Sequence, residues 1–134
     1  MLIKFCMAKS RAILDSNIFI AFYYREDTSH DEAVVVLDSL SDYDIIIPYC
    51  VIVEVTTILT YRLGKKAALN FLQDIQSADD TFIVNDEVRS EMEFFQKIDQ
   101  NLSFTDTALI HLSQKYEAIL LTFDAQLHRL HKKE

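Results

Sequence analysis

Short, uninterrupted runs of apolar residues alternate along the chain with longer stretches in which apolar positions recur at helical spacing. The apolar runs predict four buried strands, at 11–14, 45–47, 81–84 and 118–121. The other stretches predict helices at 18–22, 33–40, 49–62, 65–76, 86–97, 105–116 and 124–131. Short, continuously apolar strands separated by helices are typical of a parallel sheet covered on both faces. The expected fold is α/β, with three layers in the order α/β/α and a central parallel sheet of four to five short strands.

Turn and capping residues mark where several of these elements begin or end. Pro48 closes the second strand, and Gly64 separates two consecutive helices. Asp15 and Asn85 each follow a strand directly, and both residue types cap helices well. We therefore expect Asp15 to precede the first helix and Asn85 to cap the helix at 86–97.

The length and composition indicate one globular domain. The chain has 134 residues, 50% of them apolar, and no repeat or linker, so one domain over 1–134 is expected. Cys6 and Cys50 lie among apolar residues and are interpreted as buried free thiols, which fits a reducing cytoplasm. No segment approaches the roughly 20 apolar residues of a membrane span. A single glycine excludes glycine-rich phosphate-binding loops, so any phosphate chemistry must use metals or side chains.

The chain is acidic, with 13 Lys and Arg against 21 Asp and Glu and a formal net charge of −8. This charge excludes a protein that coats nucleic acid through a basic surface. Most of the acids lie in 26–44 and 74–99, where they alternate with apolar residues and are interpreted as solvated helix faces. The acids that fit this interpretation less easily are Asp15, Glu54, Asp106 and Asp124.

The positions of these four acids predict that they meet at one edge of the sheet. Asp15 directly follows the first strand, and Asp124 follows the last strand by three residues. In an open parallel sheet, ligands bind beyond the carboxyl ends of the strands, near a topological switch point. Glu54 lies among apolar helical neighbours, although an ionised carboxylate is seldom buried unless it is paired or binds a metal. Asp106 lies in the first turn of its predicted helix, from which it can point over the sheet.

Each acid taken singly also has a plain structural explanation. Asp15 and Asp124 are good helix N-caps, and Glu54 could reach out to solvent. Ser103 and Asp106 have the spacing of a capping box. Together, however, the four carboxylates would repel one another and raise one another's pKa, and hard divalent cations remove that repulsion. Two such ions can activate a water and stabilise the leaving oxygen of a phosphodiester, so the set predicts metal-dependent hydrolysis.

The sequence resembles the PIN-domain family, and within it the VapC-type toxins of bacterial and archaeal toxin–antitoxin pairs. The matching segments are Ile13-Leu14-Asp15-Ser16-Asn17, Glu54 in its helix, Leu102-Ser103-Phe104-Thr105-Asp106 and Leu121-Thr122-Phe123-Asp124. They occur in family order and at family spacing, and the resemblance covers essentially the whole chain. The scarcity of glycine is the departure from the family, and it concerns the geometry of the loops.

This resemblance implies a metal-dependent endoribonuclease. It implies that Asp15, Asp106 and Asp124 bind one or two Mg²⁺ or Mn²⁺ ions. Glu54 would complete the catalytic, metal-binding cluster and help to place the second metal or the attacking water. The resemblance further implies products with a 3′-hydroxyl and a 5′-phosphate, a homodimer, and a cognate antitoxin that covers the site. The polar residues that would form supporting hydrogen bonds are Ser16, Asn17 and Thr122.

Several alternatives stay open from the residues alone. A stand-alone PIN nuclease in RNA processing would use the same acids, as would a non-catalytic PIN-like scaffold that binds metal or a partner's arginines. A phosphoaspartyl transferase is disfavoured, because Asp15-Ser16-Asn17 lacks the second aspartate of an Asp-x-Asp motif. RNA would be held mainly through the metals, helped by bases such as Arg25 and Arg62. Tyr23 and Tyr24 either stack on RNA bases, contact a partner protein or pack as half-buried aromatics.

Overall fold

A four-stranded parallel sheet forms the centre of the computed structural model, which describes residues 9–133. The strands are β1 (Ser10–Leu14), β2 (Tyr43–Pro48), β3 (Thr81–Val84) and β4 (Ile119–Leu121). They stand in the order β3-β2-β1-β4, and every neighbouring pair is parallel. Ile13 pairs with Ile46 on one side and with Leu120 on the other. The α/β prediction with a central parallel sheet is therefore confirmed.

Helices flank this sheet in the described part of the chain. They are α1 (Ser16–Tyr23), α2 (His30–Asp38), α3 (Tyr49–Leu63), α4 (Lys65–Ser77), α5 (Val88–Lys97), α6 (Phe104–Lys115) and α7 (Ala125–Lys133). Helix α1 contacts α2 and α3, α3 contacts α4, and α5 packs on α6. None of the helices within residues 9–133 is long and apolar enough to cross a membrane.

One continuous apolar core joins the sheet to its helices. The central residues of β1 are inaccessible to solvent, and α3 and α4 bury about one side chain per turn in the same cluster. Removal of this apolar surface from water supplies the main stabilising free energy. Among the largest fully buried side chains are Ile13, Leu14, Ile18, Ile46, Leu59, Phe71, Leu109 and Leu120.

The order of the strands creates a switch point beside β1. The chain adds β2 and β3 on one side of β1 and then returns to place β4 on the other side. The helices that follow β1 and β4 therefore leave the sheet at neighbouring positions. The backbone N–H of Asp15 donates to the carbonyl of Leu121 at 2.9 Å, which ties the two strand ends together.

Several element boundaries agree with the sequence, and Asn85 does not. Gly64 ends α3 with a φ of 101°, a conformation that residues with a side chain rarely adopt, and its N–H donates to the carbonyls of Leu59 and Thr60. The prediction that Asn85 caps a helix at 86–97 is wrong. Helix α5 begins at Val88, and no side chain caps it.

Two acids that were assigned to solvated helix faces are buried. Asp44 lies in β2 at 3% exposure and forms an ion pair with Lys9 at 3.9 Å. Glu91 is 5% exposed on α5, which packs on α6. The prediction that these two acids are solvated is therefore wrong. It was based on the alternation of acids with apolar residues, but packing against a second element buries positions that an isolated helix or strand would expose. Cys50 is a free, half-buried thiol, and Cys6 lies outside the described residues.

Candidate functional site

The carboxyl ends of β1 and β4 border a cavity of about 330 Å³. All four acids that the sequence singled out line it, although up to 109 positions separate them along the chain. Asp15 and Asp124 come from the two strand ends, Glu54 comes from α3, and Asp106 comes from the first turn of α6. The full lining is Asp15, Ser16, Asn17, Ile20, Asp27, Glu54, Ile58, Arg62, Asp106 and Asp124.

Asp15 is the most deeply buried of these acids, with 6% exposure. It is the N-cap of α1, and its Oδ1 accepts a hydrogen bond from the backbone N–H of Ser16 at 2.7 Å. Its Oδ2 accepts a hydrogen bond from the hydroxyl of Thr122 at 2.7 Å. The capping explanation and the site explanation are therefore compatible, because one carboxylate serves both purposes.

The pKa of Asp15 is raised above its usual value. Burial is the main cause, and the negative charge of Asp106 contributes in the same direction. Hydrogen bonds from Thr122 and Ser16 favour the ionised carboxylate and oppose the rise. A cation in the cavity would remove the repulsion between Asp15 and Asp106, so this electrostatic strain favours binding of positive charge.

Ser16 connects Asp15 to Glu54. Its hydroxyl donates to Oε1 of Glu54 at 2.7 Å. The hydroxyl oxygen of Ser16 also lies 3.3 Å from Oδ1 of Asp15. Ser16 is 1% exposed, so its hydroxyl is shielded from competing water. The half-buried Glu54 therefore points towards α1 instead of extending freely into solvent.

Thr122 lies at the centre of a second group of polar contacts. While donating to Asp15, its hydroxyl accepts a hydrogen bond from the backbone N–H of Asp124 at 3.0 Å and one from Nδ2 of Asn17 at 3.3 Å. Oδ1 of Asn17 in turn accepts from the backbone N–H of Phe123 at 3.4 Å. These contacts hold the segment after β4 against the start of α1. All three supporting residues that the resemblance implied thus lie beside the acids.

Asp106 and Asp124 are more accessible, and each also caps a helix. Asp106 and Ser103 form the predicted capping box, in which Oγ of Ser103 accepts from the backbone N–H of Asp106 at 3.1 Å. Oδ1 of Asp124 accepts from the backbone N–H groups of Gln126 and Leu127 at 2.9 and 3.2 Å. In both carboxylates one oxygen serves the helix, which leaves the other oxygen available to a ligand.

The donor set has the chemistry of a magnesium or manganese site. Carboxylate oxygens are the preferred ligands of these hard ions. Within residues 9–133, no three acidic, His or Cys side chains are already positioned around a common ion. Mg²⁺ usually binds through only one or two carboxylates and completes its shell with water and substrate phosphate, so the residues fit such an ion without a closed protein cage.

Asp27 is a fifth carboxylate of the cavity, although the sequence grouped it with the solvated acids of 26–44. It lies in the loop between α1 and α2, where its Oδ1 accepts from the backbone N–H of Ser29 at 2.8 Å. Its carbonyl accepts from the N–H of His30 at 3.0 Å. No pattern in the sequence separates Asp27 from the neighbouring Glu26, because its placement depends on the path of this loop.

The two arginines that were predicted to bind substrate lie in different places. Arg62 lines the acidic cavity, whereas Arg25 lines a separate open groove together with Phe22, Tyr23 and His30. The half-buried Tyr23 packs edge-on against Phe71. Tyr23 and Tyr24 therefore match the interpretation as half-buried aromatics.

Comparison with known proteins agrees with the fold. The crystal structure of VapC20 from Mycobacterium tuberculosis, described as a toxin that cleaves the sarcin–ricin loop, superimposes with a TM-score of 0.77 over 90% of this chain and 95% of that chain. The two sequences are 19% identical, so this likeness concerns the fold. No curated protein sequence matches the chain. The sequence profile of the PIN domain matches residues 12–133, and the chain therefore belongs to the PIN-domain family.

Proposed function

We propose that this protein is a metal-dependent endoribonuclease that hydrolyses RNA phosphodiester bonds with one or two Mg²⁺ or Mn²⁺ ions. The observation that carries the proposal is the convergence of Asp15, Glu54, Asp106 and Asp124 on one cavity at the switch point of a PIN-domain sheet. Bound divalent ions would activate a water and stabilise the leaving oxygen. Membership of the PIN-domain family implies that the products would carry a 3′-hydroxyl and a 5′-phosphate.

The residues of the chain have distinct parts in this proposal. Asp15, Asp106 and Asp124 would hold the ions through their carboxylate oxygens, and Glu54 would hold a second ion or orient the water. Ser16 fixes the side chain of Glu54 by the 2.7 Å hydrogen bond to its Oε1. Residues that orient metal ligands in this way contribute to affinity although they do not touch the ion. Thr122 and Asn17 would have the same supporting part for Asp15 and Asp124.

We further propose that the protein is the toxin of a type II toxin–antitoxin pair. Its fold is that of VapC20, which is a toxin. In this proposal the protein acts in the cytoplasm as a homodimer, and a cognate antitoxin silences it by covering the acidic cavity. If the gene of this protein is expressed together with its adjacent gene, an antitoxin encoded by that gene would co-purify with the protein.

The Asp15→Asn variant tests the nuclease proposal. Asparagine keeps the size and the helix-capping ability of Asp15 but removes a charged ligand. We expect RNA cleavage in Mg²⁺ or Mn²⁺ to fall at least about 100-fold, by analogy with the loss of a group whose charge acts in the transition state. Cleavage is measured with a 5′-labelled single-stranded RNA, and EDTA should abolish it.

Glu93→Gln is the matched control, because it also neutralises one carboxylate but on the exposed face of α5. Its activity should equal that of the wild type. Equal residual cleavage by wild type and Asp15→Asn would contradict the proposal and indicate a contaminating nuclease. Binding of Mn²⁺ without any cleavage of RNA would instead identify a non-catalytic scaffold.

A further inference from the structure

We propose that Arg62 binds a phosphate of the RNA next to the scissile one and thereby sets the position of the strand across the acidic cavity. This inference rests on the proposed nuclease function and adds a specific contact to the substrate. It selects Arg62 from the basic residues of the chain by its location, since its side chain lines the same cavity as the four acids.

Arg62 and Glu54 lie on one face of α3. Glu54, Ile58 and Arg62 follow one another at intervals of four residues, and all three line the cavity. Arg62 follows Glu54 by eight positions, which corresponds to a rise of about 12 Å along the helix. A phosphate held at the acids therefore lies near one end of this face, and the Cα of Arg62 lies near the other end, with Ile58 as an apolar wall between them.

The guanidinium of Arg62 is available to an anion. Within the described residues the ion pairs are Lys9–Asp44 and Lys115–Glu87, so Arg62 is not paired with any of the acids around the cavity. Its side chain is exposed. A guanidinium binds phosphate through two parallel hydrogen bonds, a geometry that lysine cannot reproduce. Arg62 thus lies at the rim of a cavity with acidic ligands, and none of the described acids forms an ion pair with it. This position suits the binding of RNA, a polyanion whose reacting phosphate would be neutralised by metal.

Two simpler explanations for Arg62 make different predictions. It lies in the last turn of α3, where a positive charge interacts favourably with the helix dipole. It could also act as a counter-charge for the acids across the cavity. A helix-dipole role would change protein stability alone, and a counter-charge role would change metal affinity. A phosphate contact changes RNA affinity and its dependence on salt.

The test compares Arg62→Ala and Arg62→Lys with Arg89→Ala, which removes an exposed arginine from α5. Affinity for a fluorescein-labelled single-stranded RNA is measured by anisotropy in Ca²⁺, at several salt concentrations, and KM and kcat for its cleavage are measured in Mn²⁺. We expect Arg62→Ala to weaken RNA binding and raise KM about tenfold, the loss of one charge-assisted contact, with kcat within about threefold of wild type.

The salt series gives a second, independent readout. Loss of one phosphate contact should reduce the slope of log Kd against log salt concentration by about 0.7. Arg62→Lys should keep the wild-type slope and bind RNA more tightly than Arg62→Ala but less tightly than the wild type. Lysine retains the positive charge but cannot form the two parallel hydrogen bonds of a guanidinium. Arg89→Ala should match the wild type in every measurement.

If Arg62→Ala has the same RNA affinity and the same salt slope as the wild type, the inference is overturned. Tighter Mn²⁺ binding by Arg62→Ala in calorimetry, with RNA affinity unchanged, would overturn it in favour of the counter-charge. Failure of the proposed function is separate: a wild type that binds RNA in Ca²⁺ but cleaves none in Mn²⁺ is not a nuclease, and the Arg62→Ala difference in binding still decides the inference.

Discussion

Thr122 illustrates how strongly the charged residues of the site depend on an uncharged neighbour. Its single hydroxyl donates to Asp15 and accepts from the backbone of Asp124 and from Asn17. It therefore links residues from both strand ends. A hydroxyl with this many partners orients the acids, and its removal should affect both stability and metal binding.

The Thr122→Val variant tests this role, since valine has nearly the same shape but no hydroxyl. We expect the free energy of unfolding, from urea denaturation, to fall by about 1–2 kcal/mol because Asp15 loses a buried hydrogen bond. The Mn²⁺ concentration for half-maximal cleavage should rise about 10–100-fold, the usual effect of removing a residue that orients a metal ligand. Thr122→Ser keeps the hydroxyl and should stay close to wild type. A Thr122→Val variant with unchanged metal dependence would show that Asp15 is oriented by its helix cap alone.

At the scale of single elements, an acidic side chain is buried where α3, α5 and α6 come together. The sequence had predicted a solvated helix face at this position. Glu91 is 5% exposed, and burial together with the charge of Glu87 raises its pKa. The neighbouring thiol of Cys50 has its pKa raised to about 11 by burial and by the charge of Glu91. A thiol with such a pKa is protonated at neutral pH.

Glu91→Gln tests the electrostatic cost of this burial. Because the pKa of Glu91 is higher in the folded state than its usual value of 4.5, the folded protein holds the proton more tightly than the unfolded chain. Its contribution to stability therefore falls as the pH rises from 4.5 through the folded-state pKa. We expect Glu91→Gln to be more stable than the wild type at pH 7 and equal to it below pH 4.5, as measured by urea denaturation across this range.

Glu93→Gln, on the exposed face of the same helix, is the control and should show no comparable pH-dependent difference. If Glu91→Gln is less stable than the wild type at pH 7, the ionised carboxylate contributes a favourable contact and the argument from burial is wrong.

At the scale of the whole molecule, the net charge of −8 opposes the binding of RNA unless cations intervene. The acids of the cavity account for much of the local repulsion, and two divalent ions would reduce the net charge from −8 to −4. RNA affinity should therefore depend strongly on bound metal, in addition to the contribution of bases such as Arg62.

We expect anisotropy measurements to show weak RNA binding in EDTA and at least about tenfold tighter binding in Ca²⁺ or Mn²⁺, at constant ionic strength. The double variant Asp15→Asn, Asp106→Asn should lose this dependence, because it removes the two acids that repel each other most directly. Tight binding by the wild type in EDTA would show that the acidic cavity does not control contact with RNA.

Much of this organisation follows from the sequence alone. The continuous apolar runs determined the strands, because a parallel sheet covered on both faces has no solvent side that requires polar residues. Gly64 determined a helix end through its positive φ. Local pattern also singled out four acids. Asp15 and Asp124 follow strands, where ligands of a parallel sheet bind, Asp106 lies in the first turn of a predicted helix, and Glu54 lies among apolar helical neighbours.

Only the tertiary structure decided which polar residues share the cavity. Asp27 joins the acids through the path of a loop, Arg62 faces the cavity while Arg25 does not, and Ser16 bonds to Glu54 across 38 positions of the chain. Burial of Asp44 and Glu91 likewise depends on a neighbouring strand or helix. Periodicity describes one element at a time, whereas these contacts arise between elements whose packing is set by the core. The sequence therefore determined the scaffold and its unusual acids, and the packing of α1, α3 and α6 around the switch point made them a site.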